Sequence, residues 1–273
     1  MKLSFSLLLN DDGGAPRLLD SIRAAGFQGV EPTFAPEGSL PTAADPRGSA
    51  EKLRRLADQA GLKIPSMRGG PGFWTTFASS DPARRRAAVA LAEKAFEALA
   101  IMGGDTLLAV PGQWDAQQSY GQVWKNALET ARLIGAAAEK AKINVALENV
   151  ENRFLFGPRE WMQFLDAVSS PRVGMYFDVG NVVYLRQGLP EQWIRDLGSK
   201  YIRRIHFKDA AVGGPIMYLL EGAVNWPAVN SAMREIGYND WVGVELNLPA
   251  HHAAGMLASQ YRSAEAILQG EPS

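Results

Sequence analysis

A single (β/α)8 barrel over residues 1–273 is the fold predicted by three features of the sequence. Short apolar runs alternate eight times with longer amphipathic stretches, no compositional break divides the chain, and no Gly-rich phosphate loop follows any of the runs. Eight units is the count of that barrel, and about 250 residues is an ordinary length for one. The missing loops weigh against the main rival, an open doubly wound sheet, because GxGxxG and GxxxxGK[ST] are the usual signals of its nucleotide-binding members.

The first run, 2–8, carries one lysine and leads into Asn10-Asp11-Asp12-Gly13-Gly14 rather than a small-residue cleavage site. It therefore reads as a strand and not as a secretory signal. The helical stretch 15–26 closes on Gly26, where a left-handed C-terminal residue is wanted. Strand 29–33 and helix 48–61 follow, the latter closed by Gly61; strand 63–68 then leads into Gly69-Gly70. Helix 82–102 opens on Asp81-Pro82, a capping side chain before a first-turn proline, and ends at Gly103. Within it Ala87, Leu91, Ala95, Ala98 and Leu99 recur at helical spacing while Arg84, Arg85, Arg86, Glu93 and Lys94 fall elsewhere. That is the period of a helix laid on a sheet. Strands 106–111, 143–149, 172–179, 202–208 and 241–247 alternate with helices 118–141, 158–169, 190–198, 226–237 and 251–268. Asn225-Trp226-Pro227 and Gly237 punctuate the seventh helix as Asp81-Pro82 and Gly103 do the third.

Composition narrows the function. With 47% apolar and 21% charged residues, the chain can bury a sizeable core. A net charge of −1 argues against a polyanion as the main partner, and no run approaches the ~18 apolar residues of a membrane span. The expectation is a cytoplasmic protein with a small-molecule partner and neither nucleic acid nor membrane. The absence of cysteine removes disulfides, thiolate metal sites and cysteine nucleophiles together.

In such a barrel, active sites form at the C-terminal ends of the strands. Four consecutive strands end there in ionisable side chains: Glu148, Asp178, His206 and Glu245, spaced 30, 28 and 39 residues apart. Those are the lengths of successive strand–helix units, which places the four at one height on adjacent strands. Ala146, Tyr176 and Gly243, two residues earlier on the same face, leave them space. Three carboxylates and an imidazole converging in an apolar cup lose hydration at high cost unless something binds them. One divalent cation does so, and an oxygen-rich set without sulfur suits Mn2+, Mg2+ or Co2+. The competing reading is a set of separate ion pairs with Lys142, Arg172, Arg203 and Arg204.

Several segments carry a resemblance: Ala146-Leu147-Glu148-Asn149, Phe177-Asp178-Val179-Gly180-Asn181, Ile205-His206-Phe207-Lys208-Asp209, Val242-Gly243-Val244-Glu245, and the run from Leu220 to Pro227. With Gly26 to Glu31 in the N-terminal half, they resemble the sugar phosphate isomerase/epimerase family, xylose-isomerase-like TIM barrels that include ketose 3-epimerases. The resemblance implies that Glu148, Asp178, His206 and Glu245 ligate the metal, and that Glu148 and Glu245 double as an acid/base pair. It implies an isomerase or epimerase acting on a ketose or ketose phosphate through a metal-stabilised enediolate, and pairing into a homodimer or homotetramer. Two positions depart from the ketose 3-epimerases: Asn181 stands where they usually have His, and residues 210–215 hold no Arg. The alternative is a metal-dependent lyase, dehydratase or deglycosidase acting on a keto-sugar or inosose in the same barrel. The related apurinic-site endonucleases need more histidines than the three present.

Around the rim, Lys208 follows His206 by two residues and faces the same cup, where it can hold a substrate oxygen or phosphate. Asn181 and Glu221 are further substrate contacts, and Arg68 and Trp114 are placed to clamp and stack a sugar. The alternative is that Trp74 and Trp114 only plug the mouth. Glu31, ending strand two, is read as a support for the ligand set. His251 and His252 read as surface residues.

Overall fold

A computed structural model describes residues 1–249 and 251–270. The strands are β1 (Lys2–Leu7), β2 (Gly29–Pro32), β3 (Ser66–Arg68), β4 (Thr106–Ala109), β5 (Asn144–Glu148), β6 (Val173–Asp178), β7 (Ile202–Phe207), β8 (Asp209–Ala210), β9 (Ile216–Met217) and β10 (Trp241–Glu245). The helices are α1 (Ala15–Ala25), α2 (Pro46–Ala60), α3 (Gly72–Thr76), α4 (Pro82–Met102), α5 (Tyr120–Ala141), α6 (Pro158–Val168), α7 (Val179–Tyr184), α8 (Pro190–Tyr201), α9 (Trp226–Glu235) and α10 (Ala253–Gln269).

Eight strands pair in the order β2-β1-β10-β7-β6-β5-β4-β3, all parallel. The two end strands meet through bridges Gly29–Lys63 and Thr33–Arg68. Val30 N donates to Lys63 O at 2.8 Å and Phe34 N to Arg68 O at 2.7 Å. The sheet therefore closes into the (β/α)8 barrel that the pattern of eight units predicts. Burial on both faces of β4 and β6 is the signature of parallel strands covered by helices. Among the described residues, no helix is long and apolar enough to cross a membrane.

Helix punctuation works as read. Asp81 accepts from Ala83 N, Asn225 from Ala228 N, and Gly26, Gly61, Gly103 and Gly237 all have positive φ. Asp45-Pro46 repeats the Asp81-Pro82 device and starts α2 two residues before the expected 48. The strand expected over 172–179 stops at Asp178, because that side chain caps α7 immediately. Three short elements escape the reading: α3, α7 and the β8–β9 hairpin, each too short to show a period.

Candidate metal centre

The donor atoms of Glu148, Asp178, His206 and Glu245 all lie within 4.8 Å of one another. They do not share one level of the sheet. Glu148 is in register with Tyr176, two residues below Asp178; His206 is in register with Asp178 and with Gly243, two residues below Glu245. Strand tilt in a closed barrel converts these offsets into convergence on one point. Gly243 is needed for it, since a Cβ there would stand 2.7 Å from His206 Cδ2. Tyr176 is no spacer, however. Its ring lies 4.2 Å from the imidazole, centre to centre, and fills the floor.

Each ligand is held by a partner. His206 Nε2 pairs with Glu31 Oε2 at 2.6 Å, which turns Nδ1 toward Glu148 Oε1 (3.4 Å), Glu245 Oε2 (3.6 Å) and Asp178 Oδ2 (3.9 Å). Glu31 is fully buried, and its Oε1 accepts from Ser66 at 2.6 Å and Tyr176 at 2.7 Å. A carboxylate behind a ligating histidine fixes its ring orientation and raises its basicity. Asp178 divides its two oxygens: Oδ1 accepts from Asn181 N at 2.8 Å, and Oδ2 faces the cluster. Asn149 locks the Asp178 backbone from both sides, donating to its carbonyl and accepting from its N–H at 2.9 Å each.

Burial pushes the Glu148 carboxyl up to about 7; the hydrogen bond to His206 opposes this and the charge of Glu245 adds to it. Burial also raises Asp178. For Glu245, burial is outweighed by Lys208, His206 and Arg68, which hold it far below the usual carboxylate range. Burial alone pushes the His206 imidazole down, but Glu31 and Glu148 bring it up to about 10. The charges of Lys208 meet those of Asp178 Oδ2, at 2.9 Å, and Glu245 Oε2.

The residues fit a divalent cation. Asp178 Oδ2 and Glu245 Oε2 are buried, face the cluster and have no hydrogen bond beyond the contact with the Lys208 ammonium, and an oxygen-rich O/N set suits a hard or borderline ion. The cations of the competing scheme lie elsewhere: Arg204 pairs with Asp105 and Asp240, Arg172 donates to Asn144, and Arg203 to backbone carbonyls, while the ion pairs that the cluster does make are with Lys208 and Arg68.

Comparison with known proteins agrees with this geometry. The profile of the family described as "Xylose isomerase-like TIM barrel" matches residues 19–263. The chain belongs to that family. A search of curated proteins gives no significant match. Among solved structures, the chain is similar to the IolI protein with a bound zinc atom, at 18% identity and TM-score 0.81 over all of both chains. It is similar to D-psicose 3-epimerase with D-tagatose from Clostridium cellulolyticum, at 18% identity and TM-score 0.77 over 98% of each chain. A xylose isomerase-like TIM barrel/4-hydroxyphenylpyruvate dioxygenase fusion protein is 20% identical with TM-score 0.79; the match covers 98% of this chain but 42% of the fusion.

In this xylose-isomerase-like barrel, two cavities of about 500 and 410 Å³ open on the cluster. Arg68, Lys208 and Glu245 line both. Arg68 also pairs with Glu245 Oε1. Asn181 lines the larger cavity but is buried and gives its amide to Asn149 O at 2.8 Å. Glu221 lines an outer recess that shares Ile216, Leu246 and Asn247 with the smaller cavity. Trp114 lines none of these spaces: its Nε1 donates to Gln118 O and its ring packs on Tyr120. Trp74 holds the wall instead. Asp209, the last residue of the Ile205–Asp209 motif, is a structural anchor. It accepts from Trp226 Nε1, Leu220 N and Val224 N, and so ties down the loop that carries Glu221.

Proposed function

We propose that this chain is a divalent-metal-dependent isomerase or epimerase of a ketose or ketose derivative, with Glu148 and Glu245 as its acid/base pair. The observation that carries the reading is the convergence of two glutamates, from the non-adjacent strands β5 and β10, with Asp178 and His206 at the floor of a cleft. The D-psicose 3-epimerase structure named above, with its D-tagatose, supports a sugar as substrate. A further neighbour, 3-keto-D-glucoside 4-epimerase YcjR from E. coli, also does so.

The hydrogen next to a ketone is too weakly acidic for a carboxylate in water to remove efficiently. A bound divalent cation, with Mn2+ preferred and Mg2+ or Co2+ as alternatives, supplies the Lewis acidity that stabilises the enediolate. Glu148, Asp178, His206 Nδ1 and Glu245 hold it. One glutamate takes the carbon-bound proton, and the other returns one from the opposite face of the planar intermediate. Their surroundings differ: Lys208, His206 and Arg68 hold Glu245 ionised, whereas burial raises Glu148 to about 7. Glu31 fixes the imidazole tautomer so that Nδ1 is free to bind. Leu8, Trp74 and Leu108 give the cleft an apolar wall beside the cluster.

Product analysis in deuterated water tests the proposal. An epimerase or isomerase incorporates solvent deuterium at a carbon next to the carbonyl and loses no atoms. An unsaturated product with loss of water or a leaving group assigns the chain to the lyases instead. Unchanged ketose without deuterium removes the enolisation altogether.

A further inference from the structure

The two halves of the barrel ring meet the cleft with different chemistry. The four donors come from β5, β6, β7 and β10, which are consecutive in the closed sheet. The other half, from β1 to β4, lines the larger cavity with carbon. Leu8 follows β1, Ala35 follows β2, Pro71 and Trp74 follow β3, and Leu108 and Val110 lie in and just after β4. The one charged side chain that this half gives the cavity, Arg68, is already paired with Glu245. Its one uncharged polar side chain, Thr33, already donates its hydroxyl to Leu7 O at 3.2 Å. A free ketose carries a hydroxyl on nearly every carbon, and a hydroxyl that leaves water without a partner weakens binding. This half of the cleft returns little for the hydrogen bonds such a ligand gives up, whereas an apolar group gives up none.

Two of these side chains are left open. Leu8 lines both cavities and is 49% exposed, and apolar surface kept open in a groove marks a place for a ligand. The tryptophans point the same way. Trp161, Trp193 and Trp226 lie in the core, Trp114 and Trp124 pack against it, and Trp241 lies under the Lys2 ammonium. Trp74 does none of these: it is half-buried and lines the cleft with Leu8 and Pro71. The cavity, at about 500 Å³, also has more room than one hexose ring fills, and it lies within the roughly 300–1,000 Å³ of sites for drug-sized ligands.

We infer that the substrate carries an apolar group, about the size of a benzene ring, joined to its enolisable hydroxyketone head, and that Leu8 and Trp74 receive that group across the ring from the four-donor cluster. This rests on the enolisation proposed above and narrows its substrate.

Calorimetric titration of the Mn2+-loaded protein with the mono-O-methyl and mono-O-benzyl ethers of dihydroxyacetone isolates the apolar group. Both ethers keep the carbonyl and the neighbouring hydroxyl that a divalent cation chelates. The benzyl ether is expected to bind about tenfold or more tightly, the scale of burying one aromatic ring, and with the more negative heat-capacity change. The advantage collapses in Trp74→Ser and shrinks in Leu8→Ser. The latter replaces an exposed side chain outside the core and carries the test if the tryptophan variant unfolds. A benzyl ether that binds no tighter than the methyl ether, no binding by either, or an advantage unchanged in both variants overturns the inference. Deuterium exchange next to the carbonyl, above the protein-free rate, separates it from the proposed reaction. A benzyl ether held through Trp74 that never exchanges counts against the enolisation alone, whereas exchange of both ethers at equal affinity removes the apolar group alone.

Discussion

At the N-terminal mouth of the barrel, Arg204 is nearly buried and held by Asp105 at 2.7 Å and Asp240 at 2.6 Å, with a further bond to Arg203 O. At the C-terminal mouth, the buried Glu148 and Asp178, the partly buried Glu245 and His206 converge, and two of the carboxylate oxygens have no hydrogen bond beyond the contact with Lys208. Both ends place charge near the barrel axis, but the protein completes only the first by itself. Asp105 and Asp240 are about half exposed, so water shares their solvation and only the Arg204 Nε is left without a partner. The upper cluster has its supporting shell, in Glu31, Asn149 and Tyr176, and leaves its inner oxygens for something else. The contrast separates a structural plug from a site built around a ligand, and substitutions at each end can break it.

The largest effect is expected from Glu245→Gln, which keeps the shape of the side chain and removes its proton affinity. Turnover should fall about 10³-fold, within the range of general acid–base catalysis, while the thermal midpoint stays close to that of the parent. Initial rates and a melting curve measure both. Retention of most activity would take Glu245 out of the proton-transfer pair.

The pH dependence of metal binding comes next. Glu148 is raised to about 7 and His206 to about 10, so both carry a proton at pH 6, and both must release it to ligate. Between pH 8 and 7 one proton, that of His206, is released, and apparent Mn2+ affinity should fall about tenfold for that unit of acidification. Below 7 Glu148 joins it and the fall steepens. Arg204 stays charged throughout this window, so the lower mouth contributes no such slope. Affinity independent of pH from 6 to 8 would contradict the pairing of His206 with Glu31 and Glu148. Removing the carboxylate behind the histidine sharpens the point: Glu31→Gln should lower Mn2+ affinity about 10–100-fold, the usual effect of losing such a partner, as read by calorimetry.

Much of the upper mouth was legible in the sequence because ligands on parallel strands inherit the period of the repeat. Glu148, Asp178, His206 and Glu245 each close an apolar run, and their spacing follows from one strand–helix unit. Their level was misread because register and shear belong to the closed sheet, not to any one strand. Tyr176 was misread for a related reason: a pattern shows which face a residue takes, but not that its hydroxyl reaches Glu31 from 145 residues away. Trp114 and Trp74 show the limit for loops, where no period tells which of two tryptophans lines the cleft. Glu31 was legible, since it ends a strand on the inner face.

Arg204→Met tests the other half of the comparison with the smallest effect. The substitution keeps much of the side-chain length and removes the guanidinium, leaving Asp105 and Asp240 to water that already reaches them. The full penalty for stranding a buried charge therefore does not apply, and the expected loss is about 1–2 kcal/mol of folding stability, read by denaturant titration. Mn2+ affinity and turnover per folded molecule should stay at parental values, because no ligand or rim residue touches Arg204. A fall in Mn2+ affinity as large as that of Glu31→Gln would show that the two mouths are coupled through the Tyr176 and His206 layer between them, and that the lower charge is part of the site rather than its plug.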